Sequence, residues 1–418
     1  MMPATKRSAR EDVRVLYMLL SGLDNFHGAS KHVLGLSGAI AEQGVPVRLL
    51  CASDGLGVDA PGREIVAVAP DAKGSLSVAR KLFSRARRDP WLRLSGTVIY
   101  ARAHHLGFAF VASAFARRTP FVVEINGMPE FASIEQRTER RSASFARRAK
   151  LSAAVATMRV SYSLMLSRAA AIFVNNAEAK EYLVENRRLD KERVHVIPLG
   201  YDPAHARPRP LEACRRTLGL PLDERLIVHV GSLYGYKGAD TLLEAFIRLR
   251  LANTNLILVG DGGYRAVLEQ RVRDAGLGDR VRFLGERPFH ETPLWAGAAD
   301  VAVGLSNIDP QWACCPTKVV EYAACGVPVV TNTMAITREL ARGAPISLID
   351  DARSTDQVAR ALSELLDADP RALRVHELSA AVTRFAWPEI GRKSVAILSS
   401  LVANTSGAPD SAVATRCR

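Results

Sequence analysis

Short runs of β-forming residues alternate with helix-length stretches along this chain, and the pattern is laid down twice. The first half carries Val13 to Leu20, Val47 to Cys51, Thr97 to Tyr100, Phe121 to Ile125, Ala171 to Val174 and Val194 to Ile197. The second carries Leu226 to Val230, Leu256 to Val259, Val281 to Leu284, Val301 to Gly304, Val327 to Val330 and Ile346 to Ile349. Strands kept apart by helix-length segments call for parallel sheets with crossover helices, so the expected fold class is α/β with two Rossmann-like sheets. A chain of 418 residues is also too long for one ordinary core and suits two domains of about 150 to 200 residues. Between the two sets, Pro198-Leu-Gly-Tyr-Asp-Pro203 and Arg207-Pro-Arg-Pro210 make a proline-dense passage that neither helix nor strand interior tolerates. The expected domains are 1–206 and 207–385, followed by a helix over 386–403 crossing back to the first domain and a flexible tail over 404–418. Open parallel sheets bind ligands at the carboxyl ends of their strands, so two facing sheets place the site in the cleft between them.

Composition narrows the function classes. With 48% apolar and 24% charged residues the chain reads as a soluble globular protein. Its six cysteines (Cys51, Cys214, Cys314, Cys315, Cys325, Cys417) form no CxxC pair and no cluster with histidine, which argues against a disulfide framework or a zinc site and for a reducing cytoplasm. Lys6, Arg7 and Arg10 ahead of Val13 to Leu20 imitate a signal peptide, but Glu11 and Asp12 interrupt it and no small-residue cleavage site follows. That run reads as a buried first strand. The nearest approach to a membrane span, Leu106 to Ala116, falls short of the ~18 residues a span requires.

The net charge of +13 is concentrated in two places. Lys73, Arg80, Lys81, Arg85, Arg87, Arg88 and Arg93 stand against Asp89; Arg137, Arg140, Arg141, Arg147, Arg148 and Lys150 stand against Glu139. Leu76, Leu82, Phe83, Trp91, Phe145 and Leu151 are interleaved among them, so both segments predict basic amphipathic helices suited to an anionic membrane surface. Arg80, Lys81, Arg85, Arg87 and Arg88 are the expected contacts. A merely solvated helix face is the competing reading, and no nucleic-acid partner is expected.

The chemistry concentrates after the strands of the second half. Val230-Gly-Ser-Leu-Tyr-Gly-Tyr-Lys237-Gly238 combines glycines, which let a loop expose backbone N–H groups, with a lysine able to meet a diphosphate. Alone, such a pattern more often marks a plain strand-to-helix turn. Further on, Pro316-Thr-Lys-Val-Val-Glu-Tyr-Ala-Ala-Cys-Gly326 predicts a helix started by proline and threonine and ended by glycine. Its N-terminus at Thr317 and Lys318 would face the cleft, where unpaired N–H groups and the helix dipole favour phosphate. Lys318 and Glu321 share a face: either the lysine holds phosphate and the carboxylate accepts ribose hydroxyls, or the two form a surface ion pair. In the first half, Asn25 to His32 opens a helix after strand one, Glu124 and Asn126 end another strand, and His104 and His105 follow a third. His32 reads first as a packing or surface residue, with a catalytic role as the alternative.

Taken together these motifs resemble glycosyltransferase family 4. The family's donor-domain signature stands here as Gly231-Ser232-Leu with Lys237-Gly238, as Gly260-Asp261-Gly262-Gly263, and as Glu321 followed by Ala324-Cys-Gly-Val-Pro-Val-Val330. Gly28 to Val33, Phe173 to Ala177, Val196 to Asp202 and Phe385 to Trp387 extend the likeness over nearly the whole chain. The resemblance implies the GT-B architecture, two Rossmann-like domains facing each other across a cleft, with a nucleotide sugar on the second domain and the acceptor on the first. A UDP- or GDP-sugar donor would contact Gly28, Gly231, Ser232, Lys237, Gly260, Asp261, Gly262, Thr317, Lys318 and Glu321. The acceptor would contact Asn126 and Glu130, and Lys237, Glu321 and Asn126 would be the catalytic residues; His104 and His105, read only from their place after a strand, either contact the acceptor or are merely solvated. Two positions depart from the family pattern. Ser232 stands where an arginine is usual, and Ala313 where a glutamate often touches the transferred sugar. Diphosphate binding would therefore lean on Lys237 and Lys318, and sugar selection would differ.

The implied reaction is transfer with retained anomeric configuration to a lipid-linked or cell-envelope saccharide, without metal or other cofactor, because protein cations meet the leaving-group charge. The expected location is the cytoplasm, peripheral on the inner face of the membrane. The alternatives are a small natural-product acceptor, a nucleotide-sugar epimerase, or a non-catalytic scaffold in polysaccharide assembly. An NAD-dependent dehydrogenase is disfavoured, since no GxGxxG opens a helix after strand one.

Overall fold

The structure, a computed structural model, describes residues 13–23, 28–54, 62–70, 75–102, 119–126, 145–307 and 317–406. Seven parallel strands make the first sheet: β1 (Arg14–Met18), β2 (Val47–Cys51), β3 (Arg63–Ala67), β4 (Thr97–Arg102), β5 (Phe121–Ile125), β6 (Ala171–Val174) and β7 (Val194–Val196), in the order β3-β2-β1-β4-β5-β6-β7. Six parallel strands make the second: β8 (Arg225–Val230), β9 (Thr254–Val259), β10 (Val281–Phe283), β11 (Val301–Gly304), β12 (Val329–Asn332) and β13 (Ile346–Ile349), in the order β10-β9-β8-β11-β12-β13. β5, β6, β9, β11 and β12 are buried at every residue, as sheets covered on both faces require. The strand β3 was not expected. It lies at the sheet edge with none of its five residues fully buried, and Arg63 and Glu64 open it ahead of the apolar Ile65 to Ala69, a run the sequence reading passed over.

Strand order reverses at β1/β4 in the first sheet and at β8/β11 in the second. Those switch points open a crevice at the carboxyl ends of the strands. Helix α1 (Gly28–Glu42) enters the first crevice by its N-terminus and buries Val33, Leu36 and Ile40 on the sheet. The last helix, Trp387–Ser406, belongs to the same core through Trp387, Ile390, Val395 and Leu398 and packs along α1. It continues through Ser406, so the first three residues of the expected tail are helical. The chain crosses between the halves twice at one place, because Tyr201 donates to Phe385 O at 3.1 Å and accepts from Trp387 N at 3.0 Å. Trp387 lies so close to Gly35 and Gly200 that a Cβ on either would overlap its ring.

Helix α2 (Ser75–Arg87) corrects part of the membrane expectation. Val78, Leu82 and Ala86 are buried in the first sheet's core and Phe83 packs against it, so the apolar side meets protein, not lipid. Arg85 is also committed: its Nη1 lies 3.2 Å from the buried Asp89, which Arg48 approaches at 2.6 Å. Arg80, Lys81, Arg87 and Arg88 remain exposed. Of the second basic segment, only the backbone of its helical part, within Phe145–Arg168, is described. No helix among the described residues is long and apolar enough to cross a membrane.

Candidate active site

The crevices of the two sheets meet in one cavity of about 440 Å³. On the side of the second half, the chain leaves β8 at Gly231, passes a short 3-10 turn at Gly235–Lys237 and enters the next helix at Gly238, both glycines having positive φ (+147° and +71°). The Gly260-Asp261-Gly262 turn after β9 lies directly against this loop: a Cβ on Gly260 would overlap Gly231 O, and one on Gly262 would strike Leu233 O. These two glycines are thus needed for loop-on-loop packing as well as for lining the cavity. Asp261 accepts from Gly262 N at 2.7 Å and from Arg265 at 2.8 Å, and these bonds lower its pKa. Its carboxylate fixes the turn.

The helix Thr317–Ala324 presents Thr317, Lys318 and Glu321 to the same cavity. Lys318 and Glu321 do not pair with each other. Lys318 Nζ lies 3.4 Å from His229 Nε2, and His229 Nδ1 lies 3.1 Å from Val303 O. Burial, then the charge of Lys318, pull the His229 pKa well below its ordinary value, so the ring is neutral, donates from Nδ1 to Val303 and offers its Nε2 lone pair to Lys318. Burial, then Lys237, likewise pull the Lys318 ammonium well below its ordinary value. Tyr322 locks the helix to β8 by accepting from Val230 N at 2.8 Å. Lys237 lines the cavity with its ammonium 5.1 Å from the Tyr236 ring centre, and Tyr236 stacks on Tyr234 at 5.9 Å.

Behind the other wall, under the cavity-lining His32 and Asn126, lies the buried carboxylate of Glu124. Tyr17 and Tyr100 donate to its Oε2 at 2.9 and 2.8 Å, Asn126 Nδ2 donates to Oε1, and His32 Nε2 lies 2.5 Å from Oε1. Burial alone would raise this carboxyl, but His32, then Arg102 and Asn126, hold it well below the usual carboxylate range. Asn126 accepts at Oδ1 from Asn175 at 3.1 Å, so its amide is held on both sides where it borders the cavity. Gly28 opens α1 at a point where a Cβ would meet nothing within 4 Å, and Arg102 reaches over to donate to Ala29 O at 2.9 Å.

Gly28, Asn126, Gly231, Ser232, Lys237, Gly260, Asp261, Gly262, Thr317, Lys318 and Glu321 therefore all line one cavity. His104, His105, Glu130 and Ala313 lie outside the described residues. Lys31, Arg102, Arg287 and His229 were not singled out from sequence. His229 alone left a signal, as the one polar residue in the apolar run Leu226 to Val230. Among the described residues no group of three or more His, Cys, Asp or Glu is arranged to hold a metal ion.

Comparison with known proteins gives matches over both halves. The family model for glycosyl transferases group 1 covers residues 212–380, and that for glycosyltransferase family 4 covers residues 26–205. The D-inositol 3-phosphate glycosyltransferase of Stackebrandtia nassauensis is 32% identical over 233 residues, 52% of this chain and 51% of that protein. The GDP-mannose-dependent alpha-(1-6)-phosphatidylinositol monomannoside mannosyltransferase of Mycobacterium tuberculosis is 31% identical over 188 residues, 43% of this chain and 48% of that protein. The chain thus spans about half the length of the curated relatives it matches. In structure it is similar to HepE of Anabaena solved with UDP and glucose, at a TM-score of 0.69 and 20% identity over 93% of this chain and 100% of that one. Sucrose-phosphate synthase from Thermosynechococcus elongatus gives 0.67 and 18% over 94% and 97%. With both sheets inside these matches and the cleft formed as the fold requires, the chain belongs to glycosyltransferase family 4 and has the GT-B fold.

Proposed function

We propose that this protein moves a hexosyl group from a UDP- or GDP-sugar to a saccharide or lipid-linked acceptor with retention at the anomeric carbon. The observation carrying this reading is the convergence of Lys237, Lys318, Glu321 and the N-terminus of the helix Thr317–Ala324 in one cavity between two Rossmann-like halves. In the proposed step the acceptor hydroxyl attacks C1 from the face that the diphosphate leaves, and its proton passes to the departing β-phosphate oxygen. Lys237, Lys318 and the helix N–H groups meet the charge developing there, which would make a metal dispensable. Glu321 accepts ribose hydroxyls. Asn126 holds a sugar hydroxyl and, as an amide, cannot serve as base.

The two curated relatives are named for D-inositol 3-phosphate and phosphatidylinositol monomannoside, both phosphate-bearing polyols. That class is the first to try as acceptor. The reading places the protein in the cytoplasm, held to an anionic membrane face by Arg80, Lys81, Arg87 and Arg88, which stand exposed on one helix and its end.

The test is nucleoside diphosphate release from UDP-glucose and GDP-mannose in the presence of a chelator, with and without such acceptors, followed by the anomeric configuration of the product by NMR. Acceptor-dependent release with retention is expected, reduced about 100-fold or more in Lys237→Ala. Epimerised donor with no transfer product would replace the reading by an epimerase. Failure to bind any nucleotide sugar would favour the scaffold.

A further inference from the structure

We propose that Lys31 is a positioning residue for the donor's ribose, acting from the acceptor-side half across the cleft. The inference rests on the reading of Glu321 as the ribose-binding carboxylate. Lys31 has its stem on the first turn of α1, in the first half. Its ammonium is in the second half, paired with Glu321 Oε1 and 3.3 Å from Thr292 Oγ1. Thr292 donates its hydroxyl hydrogen to Phe289 O at 2.9 Å, which leaves a lone pair turned to the lysine. The side chains of Lys31 and Glu321 are only 15% and 9% exposed.

A carboxylate that enclosed needs a partner to be held in one orientation. Lys318, one turn away on the same helix, is turned to His229. Among the described residues, the cation paired with Glu321 is the one delivered from the other half. A carboxylate offers two oxygens, so Lys31 at Oε1 leaves Oε2 for the ribose hydroxyls. The donor half's ribose contact is therefore held ready only when the acceptor half is seated against it.

The experiment measures UDP and GDP binding by calorimetry in the wild type, Lys31→Met, Lys31→Arg, Glu321→Gln and the Lys31→Met/Glu321→Gln double variant, with the 2′,3′-dideoxy form of whichever nucleotide binds. Lys31→Met is expected to bind about 10-fold more weakly, as loss of a hydrogen bond to a charged group implies. Lys31→Arg should restore affinity, the double variant should bind no worse than Glu321→Gln, and Lys31→Met should bind the dideoxynucleotide as the wild type does. Equal weakening toward both nucleotides, or additive losses in the double variant, would overturn the proposal and leave Lys31 as a plain phosphate-side charge. Wild-type affinity in Glu321→Gln would remove the ribose reading itself and the role of Lys31 with it.

Discussion

Lys318 sits in the free protein as a lysine whose charge is disfavoured, by burial first and by Lys237 next. A diphosphate placed beside it reverses that balance and raises its pKa. Between the two pKa values, binding must draw a proton from solvent. Calorimetry in buffers of different ionisation enthalpy should therefore show net proton uptake when UDP or GDP binds, lost in Lys318→Met; an absence of uptake at every pH would remove Lys318 from the phosphate site. The sign for stability is opposite. With a folded pKa below the unfolded one, the unfolded chain binds more protons, so the free protein gains stability as pH rises across that interval. Lys237, Lys318 and Glu321 were legible in sequence because glycines and a helix start mark the ground they stand on. Lys31 was not, since nothing around a lysine between Gly28 and Val33 tells which wall of a cleft its ammonium will reach.

Helix α2 shows how an element can be read correctly in pattern while its apolar side is given the wrong neighbour. Its two-sided character was visible, but the same spacing serves a lipid surface or a sheet, and here Val78, Leu82 and Ala86 meet the sheet. What remains for a partner is charge on one face. Reversing Arg80, Lys81, Arg87 and Arg88 to glutamate should abolish sedimentation with phosphatidylglycerol-containing vesicles while leaving the melting temperature nearly unchanged, and undiminished sedimentation would sink the membrane assignment. Arg85→Ala should behave differently, lowering stability in urea by about 1 kcal/mol through the weakened support of buried Asp89. β3 escaped notice for a different reason: an edge strand needs only one paired side, and its short apolar run, Ile65 to Ala69, begins behind the charged pair Arg63 and Glu64.

Across the whole molecule, the doubled alternation of strands and helices was enough for the architecture, because parallel pairing with crossovers leaves few other ways to bury such runs. The seat of the final helix on the first half was not legible, since it is made by Trp387 closing on Gly35 and Gly200, residues far apart in the chain. Adding a methyl group there, as Gly35→Ala, should cost about 1–3 kcal/mol, seen as a lowered denaturation midpoint; an unchanged midpoint would show the ring free to move aside. The packing of Trp387–Ser406 along α1 also bears on any attempt to take the molecule apart. Cutting in the proline passage separates the first half from its final helix and uncovers the side of α1 at Gly35 and Ala39, against which Trp387 and Gly391 close. The smallest piece of the first half able to stand alone is thus a rewired chain, in which the final helix is fused to the first half and the second half is left out.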